Sequence, residues 1–167
     1  MAPTTSTPHL EPEGFLFKDL ASFPAKERGA VIEKVVKIEK KTFPSSEAFD
    51  FDAELRKKNT SMVLVLRKAD STVAGYLVYL RMKRMALLHK ICVVESERGK
   101  GIGKCLIHSL RAQLEKGGCQ SIQLWVDEAR APARALYKSC EFQQVDRCLD
   151  YYGPGRTGLK MQLPIEK

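Results

Sequence analysis

The chain has 167 residues, 44% hydrophobic and 29% charged, with a formal net charge of +8. That length suits one domain around one core, and no apolar run approaches the roughly 20 residues needed to cross a bilayer. The positive charge admits an anionic partner. No helix-turn-helix, zinc-finger or RNA-binding signature goes with it, so neither nucleic acid nor a membrane is an expected partner.

Met1–Gly14 is rich in Pro, Thr and Ser and lacks the basic start and apolar stretch of a secretory signal. It reads as a disordered lead-in to a single domain over 15–167. Phe15-Leu16-Phe17 opens a first strand. Arg28 to Lys41 reads as a helix, with Val31, Val35 and Ile38 on one stripe and Ile32 and Val36 beside it. Phe43-Pro44 ends it, because a residue before proline resists the helical region. Ser45 to Phe49 is a loop, and Asp50 to Lys58 a short helix that Asp50 caps.

Three strands follow, at Met62 to Leu66, Val73 to Leu80 and Leu87 to Val94. Gly75 weakens the second or marks a bulge. The near-unbroken apolarity of the third predicts burial on both faces. A helix from Gly101 to Lys116 carries Ile102, Leu106, Leu110 and Leu114 at four-residue spacing and stops at Gly117-Gly118. Ser121 to Val126 is a strand. Pro132 to Cys140 is a helix, with Ala133, Leu136, Tyr137 and Cys140 on one face. Phe142 to Tyr152 and Leu159 to Leu163 close the chain as strands, with a break at Gly153-Pro154-Gly155. The order predicts an α/β domain built on one mixed sheet.

Cys92, Cys105, Cys119, Cys140 and Cys148 are widely spaced and form no Cys-x-x-Cys pair, so no metal site and no disulfide framework is expected. Cys92, Cys105 and Cys140 sit in apolar patterns as small core residues. A reducing compartment, cytoplasm or nucleus, is the simpler setting.

The chemistry concentrates where the third strand meets the next helix. Arg98-Gly99-Lys100-Gly101-Ile102-Gly103 places three glycines at alternate positions at a helix start. The first backbone N–H groups of a helix lack internal partners and, with the positive end of the dipole, form an anion site. Glycine lets a ligand approach the backbone closely, and Arg98 and Lys100 add charge. The spacing fits neither the Walker pattern nor the dinucleotide fingerprint. It suits a pyrophosphate.

This stretch resembles motif A of the GCN5-related N-acetyltransferase (GNAT) superfamily. Leu124-Trp125-Val126, Ala133, Leu136-Tyr137 and Phe142 resemble its motif B. The tail Asp150 to Gly155, Lys160-Met161 and the Phe43-Pro44 loop resemble protein N-terminal acetyltransferases, including the ribosomal-protein group. The resemblance implies a GNAT fold, a mostly antiparallel sheet of about six to seven strands with about four helices. It also implies acetyl-CoA as co-substrate. Cofactor contacts would come from Ile91, Cys92, Val93, Val94, Arg98, Gly99, Lys100, Gly101, Ile102, Gly103, Lys104, Tyr137 and Lys138. There are departures: Arg130 replaces the usual Asn, Glu141 the Gly before Phe142, and Trp125 stands where some relatives carry a catalytic Glu or His.

The implied reaction is direct attack of an amine on the thioester. Amides near Cys92 to Val94 would stabilise the oxyanion and Tyr137 would protonate the leaving thiolate. His89 is a candidate base: if its strand is regular, residues 87, 89 and 91 share a face. His108, on the next helix, reads as a surface residue. Phe43, Pro44, Tyr151 and Tyr152 are expected to meet the acceptor; alternation along a strand sends only one of the two tyrosines into the site. The acceptor is expected to be a protein or peptide amine, foremost an N-terminal α-amine. A polyamine-like small amine stays open, on the acidic Glu47, Asp50, Asp52 and Glu54, as does an acyl-CoA-binding regulatory subunit with little turnover. An auxiliary subunit is also left open.

Overall fold

A computed structural model of the protein describes residues 12–47 and 49–165. Most of the lead-in expected over Met1–Gly14 lies outside the described residues. Pro12 to Gly14 do not trail away: the Phe15 amide donates to Pro12 O (3.2 Å) and the Lys68 amide to Gly14 O (2.9 Å), tying this turn to the sheet.

The elements are β1 (Phe15–Asp19), α1 (Ala25–Thr42), α2 (Phe51–Arg56), β2 (Thr60–Arg67), β3 (Val73–Arg81), β4 (Met85–Val93), α3 (Ile102–Lys116), β5 (Ser121–Asp127), α4 (Ala131–Ser139), β6 (Gln143–Gly153) and β7 (Arg156–Pro164). Asp50 caps α2, its carboxylate accepting from the Ala53 amide at 3.0 Å. The strands form one sheet in the order β1-β2-β3-β4-β5-β7-β6. Every pairing is antiparallel except β4 with β5, which α3 joins by a crossover.

Two cores sandwich the sheet. On one face Ile102, Leu106, Leu110 and Leu114 of α3 lie at or below 1% exposure and pack, with Tyr137 and Phe142, onto Leu77, Leu88, Ile122 and Leu124. On the other, Val35 and Phe51 meet Met62, Leu64, Tyr76, Val78 and Cys92. Each such aliphatic side chain contributes roughly 1.5–3 kcal/mol by leaving water. Gly75 marks a close approach: a Cβ there would sit 2.8 Å from Cys92 O. The pairing also slips beside it, since Val65 pairs with Gly75 but Leu66 with Val73.

The β4–β5 pairing is short. Only Met85–Leu87 and Ser121–Gln123 are matched, and beyond them the strands part. Leu88 and Cys92 enter opposite cores as the apolarity predicts. His89, Lys90, Ile91 and Val93 stay only partly buried, because β5 has left their side. The gap lies in the middle of the sheet, between the glycine turn and α4.

Candidate active site

After β4 the chain makes a short turn at Glu95–Glu97 and reaches the glycines. Gly99 and Gly101 have φ of +81° and +79°, a region costly for any residue with a Cβ. A Cβ at either would meet nothing within 4 Å, so the space above both is open. Gly101 caps α3 without a side-chain acceptor, which leaves the amides of Ile102, Gly103 and Lys104 at the positive end of the helix. Gly103 faces inward instead: a Cβ there would press on Leu136 Cδ2 at 3.2 Å, so it lets α3 approach α4. The two basic side chains of the turn are engaged. Arg98 Nε donates to Val93 O (3.1 Å), and Lys100 Nζ reaches Glu97 (2.8 Å). Lys104 and Lys138 are exposed.

The β4 backbone carries a bulge. Val78 pairs with Lys90 but Tyr79 with Leu88, so His89 is the extra residue. This corrects the regular alternation expected for residues 87, 89 and 91. Ile91 and Val93 pack on the α3–α4 side, whereas His89 and Lys90, although adjacent, both turn to the α1–α2 side. His89 lies 6.2 Å from the Phe49 ring. Burial holds its imidazole below the ordinary 6.5, with Glu54 pulling upward and Lys57 downward. The amides expected to serve as oxyanion donors also narrow. Val94 N–H is already bonded to Ala74 O at 2.9 Å, so by antiparallel alternation the Val93 and Ile91 amides are the ones directed away from β3 into the gap.

Tyr137 is 6% exposed, with Phe142 5.7 Å from its ring. Burial, helped by Tyr152 and opposed by Arg130, raises its hydroxyl above the ordinary 10, so it stays protonated at any working pH. His108 is partly buried on α3 rather than a surface residue.

Across the gap stands an aromatic wall. Leu124 and Val126 point into the core, so alternation turns Trp125 to the other face. Its indole stacks on Tyr151, and Tyr152 meets Tyr151 edge-on at 4.9 Å. Both tyrosines therefore join one cluster, contrary to strict alternation. The cause is an irregularity between Cys148 and Gly153, where Asp150 adopts φ +56°. Burial, with Tyr151 and Asp127 nearby, pushes the Tyr152 hydroxyl to about 12. Phe43 comes from the α1–α2 connection, with Lys90 Nζ 3.6 Å from its centroid on one side and Arg130 at 5.4 Å; Pro44 beside it is exposed.

A strand splayed from its neighbour over a glycine-rich helix start has a counterpart in known sequences. The profile of the acetyltransferase (GNAT) family matches residues 32–142. The chain belongs to the GNAT family. Among curated GNAT relatives, it is 31% identical over 83 residues to the [ribosomal protein bS18]-alanine N-acetyltransferase of Haemophilus influenzae, over 50% of this chain and 56% of that protein. It is 30% identical over 71 residues to the mycothiol acetyltransferase of Corynebacterium jeikeium, over 42% of this chain and 21% of that one. The chain thus spans about half, or less, of the curated relatives it matches. Its fold is that of the ribosomal-protein-S18-alanine N-acetyltransferase of Escherichia coli, with a TM-score of 0.75 at 20% identity, covering 92% of this chain and 95% of that one.

Two features of this GNAT chain have no local signature in its sequence. Glu39 of α1 is buried; its Oε1 accepts from Tyr76 OH (2.5 Å) and its Oε2 lies 2.9 Å from Lys90 Nζ. Glu47 bonds Arg130 of the β5–α4 corner and, at 2.8 Å, Arg156 of β7, which also holds Asp127 at 3.1 Å. Burial raises the Glu47 carboxyl, but the two arginines outweigh it and the net displacement is downward.

Proposed function

We propose that the protein is an acetyl-CoA-dependent N-acetyltransferase that acetylates a protein N-terminal α-amine by direct attack on the thioester. The observation that carries the reading is the mid-sheet gap, which has the open glycine turn and Tyr137 on one side and the aromatic wall of Trp125, Tyr151 and Tyr152 on the other. The amides of Ile102 to Lys104 would hold the diphosphate. The acceptor nitrogen forms a bond to the carbonyl carbon, and the oxygen takes its charge opposite the Val93 and Ile91 amides. The C–S bond then breaks, and the departing thiolate takes the Tyr137 proton. The proton lost by the nitrogen passes to His89, directly or through water. Holding both reactants in one cleft provides most of the rate advantage.

An α-amine titrates near 8, against about 10.4 for lysine, so at pH 7 about a tenth of an N-terminal acceptor is already neutral, against well under a thousandth of a lysine. That fits a site where Trp125 replaces a strand carboxylate or imidazole. The acidic residues that favoured a polyamine are mostly engaged: Glu47 by two arginines, Glu54 by Lys57 at 2.9 Å, and Asp50 by its helix cap.

The test is CoA release by the pure protein with acetyl-CoA and three acceptor sets: peptides with free N-termini, N-terminally blocked peptides with internal lysines, and polyamines. Turnover of the first set alone is expected. Turnover only of blocked peptides or polyamines would replace the reading, and binding of acetyl-CoA without turnover of any acceptor would favour a regulatory subunit.

A further inference from the structure

The rim of the acceptor side is built from charges whose exposures are unequal. Arg130 and Arg156 keep 41% and 38% of their side chains in solvent. The carboxylates that hold them are mostly covered, Glu47 at 19% and Asp127 at 11%. The charges sum to zero, but an incoming molecule meets the guanidinium side of each pair. A guanidinium has five N–H donors, and these pairs use only some of them. Each arginine also lies against an aromatic ring beside the acceptor path, Arg130 over Phe43 and Arg156 over Tyr152, both at 5.4 Å. Lys90, on the floor of the same side, adds a third cation, matched by the buried Glu39.

We propose that this rim selects acceptors with a carboxylate close behind the reacting amine, that is, N-terminal peptides with Asp or Glu among their first few residues, read by Arg130 and Arg156. The inference rests on the N-terminal reading above and sharpens it. Glu47 and Asp127 hold the two guanidiniums in place over their rings, so the reading geometry exists before the peptide arrives. A peptide carboxylate adds a further acceptor to guanidiniums already oriented, the second for Arg130 and the third for Arg156, and the covered Glu47 need not leave. The same rim repels polycations.

The experiment compares acceptor peptides of one length and one first residue, differing only at the next three positions: acidic, neutral or lysine. Spermidine is run beside them. The acidic peptide is expected to have a KM about tenfold below its neutral twin, the size of one partly solvated charge-assisted hydrogen bond. The lysine peptide should have the highest KM. The acidic advantage should shrink as salt is raised and disappear in Arg156→Gln, whereas Arg156→Lys retains part of it. If Arg156→Gln does not fold, the salt series on the unaltered protein and Arg156→Lys carry the decision. Equal or better use of the neutral or lysine peptide overturns the inference alone, as does an acidic advantage untouched in both Arg130→Gln and Arg156→Gln. Turnover of spermidine but of no peptide overturns the N-terminal reading itself.

Discussion

The Trp125 indole lies flat on the Tyr151 ring, with centroids 4.2 Å apart and planes 12° apart. Tyr151 is nonetheless exposed, so the stack forms a wall facing the gap rather than part of a core. Such a pair adds roughly 0.5–1.5 kcal/mol beyond area burial. Tyr151→Ala removes the ring that the acceptor would lie against and should raise the acceptor KM about 3- to 10-fold, the size of one such aromatic contact. Acetyl-CoA affinity should not move. Separate titrations of acetyl-CoA and peptide check this, and a parallel loss in both would show that Tyr151 supports the fold instead.

Tyr137→Phe keeps the ring against Phe142 and removes only the hydroxyl. Turnover should fall by about 10²-fold, in the range of a lost general acid, while acetyl-CoA binding and melting temperature stay as they are. Because burial raises the hydroxyl, no alkaline limb from this residue should appear in the pH–rate profile up to pH 10. A variant with full turnover would remove Tyr137 from the chemistry.

His89 must be neutral to take a proton, and burial favours that form by lowering its pKa below 6.5. The contribution of His89 is thus fully present above that value and lost as pH falls through it. With an α-amine acceptor, log kcat/KM already falls with a slope of about one below roughly pH 8, and His89 steepens it to about two at lower pH. His89→Ala should abolish the second break. The same two breaks in the variant would leave His89 a structural residue.

Much of this cleft can be read from local pattern. The four-residue spacing from Ile102 to Leu114 and the alternate glycines before it identify α3 and its open, glycine-rich start, because both rest on local backbone geometry. The β4 bulge cannot be read this way. His89 is extra only relative to β3, and pairing between strands leaves no mark on the apolar pattern of one of them. The bond from Arg156 to Glu47 spans 109 positions. A glutamate and an arginine that far apart carry no periodicity to connect them.

Gly101→Val places a β-branched residue at φ +79°, a strain of about 1–3 kcal/mol. The helix start should shift and weaken acetyl-CoA binding by about tenfold or more, the equivalent of 1.4 kcal/mol. Acceptor selectivity should be unchanged at saturating acetyl-CoA. Calorimetry on the variant measures this, and undiminished affinity would place the diphosphate elsewhere.

Lys90→Met leaves the buried Glu39 carboxylate with Tyr76 as its remaining partner. Breaking such a pair costs about 3–5 kcal/mol when fully buried. The 14% exposure of the lysine side chain brings the expectation down to about 2–3 kcal/mol. Adding Glu39→Gln should recover part of that loss. Urea unfolding of both single variants and the double variant gives the coupling, and strictly additive losses would mean that the two side chains do not stabilise one another.

The three rungs joining Met85–Leu87 to Ser121–Gln123 make the sheet two half-sheets sharing a narrow seam. Each half has its own antiparallel neighbours, and the contacts that cross between them include the seam, the packing of α3, the Glu47 contacts and Arg130 over Phe43. A ligand lying in the gap would staple the halves together along their unmatched edges. Without it, the seam is where the molecule should open first when heated, so saturation with acetyl-CoA should both raise the melting temperature and sharpen the transition.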